Sequence, residues 1–493
     1  MSVTRRPGRL AYLGLLGTTT AGTLGGNIIN APLDWIREEF AATDSRVVLA
    51  VAAYTIAMAV CVPLAGWLCD RFGAIRVVSA GLALMALAQV LAIFSASLEM
   101  LIALRAVQGM ACATYPPGVQ RVLVALWPEK GASALGAWAA AIGVGQALGP
   151  PVGGLVAQML GWRGVFGFSA LFSALLLVIV LTTVPRLPGR RVPLHVPGMV
   201  LLMAAVGLLV VTVTLVGQRS PWSVDAVVGG AAVVCGVVFL VLAGRHPESL
   251  VPPRLLVERR YVRATALAVS SMLILGVLLS SLPLWLAQVL GLGPGPVGLI
   301  VFSMAAAMAV SAKLTGAVRS RLGGWRTVVG ALSTMLGVLV ALGLWLDEGP
   351  AGSARRAAEP GAAGQHAGDA SGGGASGWDT AAALLADPRT VQVAGIVLLL
   401  LLLGAALNAG QSLAAFSVSQ SRAGENSLAF GLHNTVRFAG LAVGFAWTAL
   451  LYPLGSMLLL NLGAVAGVLV ALVLVAAGGP LPGAPAPRPA SDR

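Results

Sequence analysis

The sequence predicts an all-α membrane protein of fourteen transmembrane helices, arranged as two six-helix bundles with two further helices inserted between them. Three observations carry this reading. Of 493 residues, 58% are hydrophobic and only 10% are charged, too little charge to cover a water-soluble chain of this length. Apolar runs of eighteen or more residues recur from end to end, each long enough to cross the hydrocarbon of a bilayer. A short loop pattern also repeats 250 residues apart.

The expected spans are 10–33, 47–69, 76–97, 100–125, 132–159, 164–184, 196–217, 225–244, 262–288, 295–318, 326–346, 391–420, 427–451 and 454–477. Arg5, Arg6 and Arg9 precede the first run as in a signal peptide. The run continues past twenty residues, however, so it reads as an uncleaved first helix. The repeat is GWLCDRFGAIR at 66–76, between spans 2 and 3, echoed by GAVRSRLGGWR at 316–326, between spans 10 and 11. It divides the chain into an N-terminus (1–9), a first bundle (10–184), two inserted helices (185–261), a second bundle (262–477) and a tail (478–493). Such repeats mark secondary transporters, with the site between the halves near the bilayer midplane.

Charge sets the topology. Counting alternate loops, 21 Lys and Arg fall on the side of the termini and 7 on the other, so both termini are expected in the cytoplasm of a plasma-membrane protein. The net charge of +13 follows from those loops and does not call for a nucleic-acid partner. Cys61, Cys69, Cys112 and Cys235 lie in or beside apolar runs without metal-ligand spacing and read as small core residues. Two segments lack periodicity: 347–390, expected outside the cell, and the Pro-rich tail 478–493, expected inside. Both have the composition of disordered chain.

Two motifs suggest a conformational switch. In GWLCDRFGAIR, Asp70 sits in a short turn before Arg71 and Arg76. A carboxylate there can latch onto a helix N-terminus or a neighbouring arginine, while Gly66 and Gly73 permit close approach and a tight turn. The alternative is a basic loop that only sets topology. GQALGPPVGG (145–154) holds Gly145, Gly149, Pro150, Gly153 and Gly154. Each proline would cost about 3 kcal/mol in a helix in water. In a membrane the segment survives as a bent helix with a smooth face for a neighbour to slide against, or as a generic small-residue packing face.

These motifs give the chain a resemblance to the major facilitator superfamily, and within it to the fourteen-helix drug:proton antiporters. GWLCDRFGAIR resembles the loop motif GxLxDRxGRR, GQALGPPVGG is similar to the antiporter motif GxxxGPxxGG, and RAVQG (105–109) to RxxQG. LGGNIINAPLDWIREEF (24–40), LPLWLAQVLGLGPGPVGL (282–299) and GLHNTVRFAG (431–440) resemble further family segments. The resemblance implies the major facilitator fold, alternating access and a cavity lined by spans 1, 4, 9 and 12. Departures bear on proton coupling. Gly25 stands at the family's first-helix aspartate, Ala74 at a loop arginine, Ser320 at the aspartate of the second-half echo, and His195 where an acid is common before span 7.

All 18 acidic residues fall outside the middle of the spans, 12 toward the outer side and 6 toward the inner. The interior holds Arg105, Arg437 and His433, so the core should be electropositive. Arg105 either faces a polar partner or snorkels to the outer interface. His433, one turn from Arg437, either completes a hydrogen-bond network or carries protons; Asp34, at the outer mouth of span 1, is the second coupling candidate. Polar stripes at helical spacing add Asn27 and Asn30 (with Thr19 and Thr23), Gln108 beside Arg105, Trp285 and Gln288 (with Ser281), and Asn408 with Gln411. Each stripe alone reads as interhelical glue. Together they outline an apolar-walled pocket with scattered hydrogen-bonding groups, suited to an amphipathic organic molecule.

The expected function is export of small amphipathic compounds, drugs or antibiotics, by proton antiport. Two alternatives stay open: an exporter or exchanger of anionic metabolites without proton coupling, and a non-transporting scaffold or sensor. An enzyme is not expected. The chain has no GxxxxGK[ST] loop for ATP, no HExxH for zinc and only four histidines. No cofactor or metal is expected. The expected partners are a small-molecule substrate, protons and the bilayer, with the chain a monomer.

Overall fold

The computed structural model describes residues 8–130, 132–190, 192–217, 221–246, 252–292, 294–358, 388–425 and 427–477. Among them there is no strand. The first half contains α1 (Arg9–Asn27), α2 (Leu33–Glu39), α3 (Asp44–Phe72), α4 (Ala74–Ile93), α5 (Leu98–Cys112), α6 (Tyr115–Leu126) and α7 (Ala132–Thr183). The insert is α8 (Val196–Gly217) and α9 (Trp222–Arg245), followed by the single turn α10 (Pro253–Leu256). The second half contains α11 (Arg259–Leu290), α12 (Pro294–Leu322), α13 (Gly324–Ala358), α14 (Pro388–Ser419), α15 (Ser427–Leu451) and α16 (Met457–Ala476).

Among the described residues nine helices are long and apolar enough to cross a membrane, ten if the bent pair 296–312 and 314–322 is one span. Each of the fourteen expected spans falls on helix, but not all pass that test as single straight helices. The run 133–183 has 51 residues, about twice what a bilayer core needs. It turns at Gly161, whose φ of +72° is its one non-helical position. The break therefore falls in the expected gap 160–163 and not at Pro150 or Pro151.

Three boundaries differ from expectation. Span 1 ends at Asn27 and passes through a 3-10 turn, Ile28–Asn30, into α2. Span 4 is two helices, because Pro116 and Pro117 open α6; lacking N–H donors, they fit a first turn far better than a helix interior. The eleventh span runs on to Ala358, into the segment expected to be disordered; 359–387, the tail 478–493 and residues 1–7 lie outside the described residues.

Within the first half α1 and α4 pack on α7, and α3 on α5; within the second, α11 packs on α15, α12 on α14 and α13 on α16. Two seams join the halves: α7 against α12 and α14, and α3 against α15. Glycines set the approach of α7 to α1. A Cβ on Gly145 would strike Thr20 O and Thr23 Oγ1, one on Gly149 would lie 2.7 Å from Asn27 Cβ, and one on Gly153 would strike Ile28 O. A Cβ on Gly154 would make only an ordinary contact, 3.5 Å from Ala31 Cβ. The stripe seats α7 on α1 inside one half and offers no free sliding face. The other side of α7 meets the second half, where a Cβ on Gly298 would come 2.9 Å from Pro151 Cγ. The inserted helix α8 pairs with α9 and also packs on both α3 and α15, flanking the second seam.

Candidate functional site

The α3–α15 seam is closed at one end and hollow at the other. Toward the basic loops, a Cβ on Gly431 would lie 3.2 Å from Pro63 Cα, and Asn434 Nδ2 donates to Gln120 Oε1 at 3.4 Å. Toward the opposite face lies a cavity of about 370 Å³, walled by α1, α3, α7, α8 and α15. Thr23, Asn27, Asn30, Thr55, Gln146 and Thr214 give it hydrogen-bonding groups. Met58, Leu441 and Phe445 contribute to its apolar wall. No acidic, basic or imidazole side chain is among its lining residues.

The two buried guanidiniums flank this cavity, each behind one aromatic ring. Arg105 is 1% exposed and does not snorkel. Its Nη1 donates to Gly25 O at 2.8 Å and Gln108 Oε1 at 3.0 Å, its Nη2 to Gly26 O at 3.0 Å and its Nε to Ala50 O at 3.1 Å. Gly25 and Gly26 lie in the last turn of α1, where unpaired carbonyls present partial negative charge. The counter-charge is thus a helix end and no carboxylate. Arg105 Cζ stands 4.5 Å from the centroid of the Tyr54 ring, and Tyr54 lines the cavity.

Arg437 is also 1% exposed. Its Cζ lies 4.6 Å from the ring centroids of both Trp138 and Phe438, a cation–π arrangement, and Phe438 lines the cavity. Its Nε and Nη2 have no hydrogen-bond partner. Lys313, inside α12, is a third interior cation by sequence; its side chain lies outside the described residues.

The other expected cavity residues are dispersed. Asn27 and Asn30 line the cavity. Gln108 holds Arg105 and donates to Ala88 O at 3.3 Å, inside the first half. Trp285 is buried on α11 with Nε1 unpartnered, and Gln411 is buried on α14 with both amide atoms unpartnered. Gln288 accepts from Tyr452 Oη at 2.8 Å at an exposed position. With the Asn408 amide turned to match its neighbours, Nδ2 donates to Gly136 O at 2.7 Å and Oδ1 accepts from Thr315 Oγ1 at 3.3 Å, tying α14 to α7 and α12. This cavity is walled by spans 1, 2, 5, 7 and 13, so of the expected spans 1, 4, 9 and 12 only span 1 lines it. His433 is buried away from it, its Nδ1 2.9 Å from Thr265 Oγ1 on α11. Asp34 lies on α2, its side chain outside the described residues.

At the basic face Asp70 pairs with Arg121 of α6. The Asp70 carbonyl accepts from Arg190 N at 2.6 Å, which lays the linker to the insert across the loop. Gly73 has a φ of +92°, and a Cβ there would strike Leu187 O; both facts demand glycine. Gly66 faces a smaller pocket of about 220 Å³ with Gln120 and Phe430. Arg71 and Arg76 are exposed. His195 Nδ1 accepts from Gly198 N at 3.0 Å at the start of α8, and its ring stacks on His246 at 4.7 Å. At the opposite face Glu39 accepts from Trp162 Nε1 and pairs with Arg163, which hold its carboxyl below the usual range. The four cysteines are free.

Sequence reasoning missed Tyr54, Thr55, Gln146, Thr214 and Phe438. Phe438 had a signal, since it adjoins Arg437 in the chain; the pairing of Tyr54 with Arg105, 51 residues on, left none.

Residues 13–354 match the family model of the Major Facilitator Superfamily. The Mycobacterium tuberculosis multidrug resistance protein Stp is 29% identical over 323 residues, 64% of this chain and 60% of that protein. A probable actinorhodin transporter of Streptomyces coelicolor is 31% identical over 351 residues, 68% of this chain and 60% of that one. The aligned region thus spans about three fifths of the length of these relatives. The crystal structure of the human organic anion transporter MFSD10 (TETRAN) superposes with a TM-score of 0.61 at 17% identity, covering 96% of this chain and 100% of that one, a likeness of fold. With two thirds of its length matched by the family model, this chain belongs to the Major Facilitator Superfamily, a family of membrane transporters.

Proposed function

We propose that this protein exports amphipathic organic molecules by alternating access and accepts neutral and anionic compounds in preference to cations. Its termini and basic loops would lie in the cytoplasm of the plasma membrane, so the cavity would face outward. The observation that carries the reading is the cavity itself: apolar walls, seven hydrogen-bonding side chains counting Tyr54, no carboxylate, and a guanidinium behind a ring on either side. Such a lining suits a drug-sized molecule with a few polar groups. The relatives named for multidrug resistance and for actinorhodin transport support export of such compounds. The test is accumulation of anionic, neutral and cationic fluorophores of similar size in cells with and without the protein; export confined to the cation would sink the reading.

For the driving force we propose proton antiport through His433, the interior imidazole, which reaches Thr265 across to α11. His433→Ala should abolish the dependence of export on the pH gradient. Export that persists in this variant, or after the gradient is collapsed, would instead favour exchange of anionic solutes, the reading supported by the lack of a carboxylate in the cavity lining.

A further inference from the structure

We infer that the seam between α3 and the inserted helix α8 is a binding site for one anionic phospholipid of the leaflet at the basic face, independent of how transport is driven. Two hollows lie along this seam. The first, about 530 Å³, is walled only by apolar side chains, Ile56 and Val60 of α3 facing Val200, Ala204, Leu208 and Val211 of α8. The second, about 580 Å³, lies at the end of α3 and is lined by Trp67, Arg71, Phe72 and the chain entering α8 at 192–194.

Ile56, Val60, Trp67 and Arg71 are spaced four, seven and four residues apart, so they form one stripe of α3. At 1.5 Å per residue the stripe is about 22 Å long. One leaflet with its headgroups is also about 20–22 Å thick. The chemistry changes along the stripe as it does along a phospholipid. The aliphatic lining ends at Trp67 and Phe72, whose rings meet edge-on at 6.2 Å, as aromatics do at the membrane interface. Trp67 is fixed by donating Nε1 to Pro193 O at 3.3 Å. Beyond it stands Arg71, exposed and without an ion pair among the described residues, while its neighbour Asp70 is committed to Arg121. An acyl chain against Ile56 and Ala204 therefore places an anionic headgroup at Arg71. Ile56 also lines the transport cavity, so the lipid tail would abut its outer wall.

The test is native mass spectrometry of the purified protein from nanodiscs of phosphatidylglycerol or phosphatidylcholine. Wild type should retain phosphatidylglycerol about fivefold better, the worth of one arginine beside an anionic headgroup. Arg71→Gln should retain both lipids equally, and Ala204→Phe, which fills the groove, should retain neither. Unchanged retention by Ala204→Phe, or no headgroup preference in wild type, would overturn the proposal. So would displacement of the lipid by excess transported fluorophore, which would assign the groove to substrate. Should Ala204→Phe not fold, brominated phosphatidylglycerol should quench wild-type fluorescence more than that of Trp67→Phe; equal quenching refutes the site.

Discussion

Replacing Arg437 by methionine should relax the discrimination against cations. Arg437 Cζ is 4.6 Å from the centroid of the Phe438 ring, and a ligand on the far face adds a contact of about 3.5 Å. A charge bound there is then about 8 Å from the guanidinium. At an effective dielectric of about 20, a monocation at that distance is disfavoured by about 2 kcal/mol, near thirtyfold in affinity. Arg437→Met removes this repulsion and keeps an unbranched side chain that packs well against Trp138 and Phe438. No carboxylate is orphaned, because Arg437 pairs with none among the described residues, and two of its nitrogens are unpartnered already. The assay is competition among fluorophores of one scaffold carrying a positive, zero or negative charge, in vesicles of wild type and variant. The cation-to-neutral ratio should rise by between about tenfold and thirtyfold. A ratio unchanged within twofold would refute the idea that this guanidinium sets the potential of the cavity.

Other perturbations follow from the packing. Asp70→Asn leaves Arg121 without its carboxylate at a position where Asp70 is only 12% exposed; stability should fall by about 1–3 kcal/mol, read as a lower melting temperature in detergent, and an unchanged Tm would show the pair to be idle. Gly153→Ala places a methyl group on Ile28 O and should cost about 1–3 kcal/mol by overpacking, whereas Gly154→Ala, with ordinary clearance to Ala31, should be near neutral. Equal melting temperatures would refute that asymmetry. The Glu39 carboxyl is held low first by the Trp162 hydrogen bond and then by Arg163. A depressed folded value means stability present above the ordinary carboxylate range and lost as pH falls through the folded value. Wild type should therefore lose more than Glu39→Gln on acidification below about pH 4.5, and parallel melting curves would contradict this.

The helical runs, the Gly161 gap and the two motif loops were legible because bilayer length, glycine and charge leave local marks in a sequence. The partner of Arg105 was not, since the Gly25 and Gly26 carbonyls that hold it are main chain and give no residue-type signal. The walls of this cavity were not legible for a related reason. A polar stripe shows only that a helix face is buried against something polar, and on span 12 that something is Gly136 O and Thr315 for Asn408. Inserted helix α8 has only Thr212 and Thr214 as polar side chains, too few to form a stripe that would have marked Val210 and Thr214 as cavity wall. The break in span 4 could have been read from Pro116 and Pro117, as proline pairs open helices more readily than they continue them.

Equilibrium binding to the purified wild-type protein of three probes differing only in charge tests the central claim most directly. With two guanidiniums flanking a cavity that no charged side chain lines, the anion should bind at least as tightly as the neutral probe, and the cation weakest. Tightest binding by the cation would contradict the account.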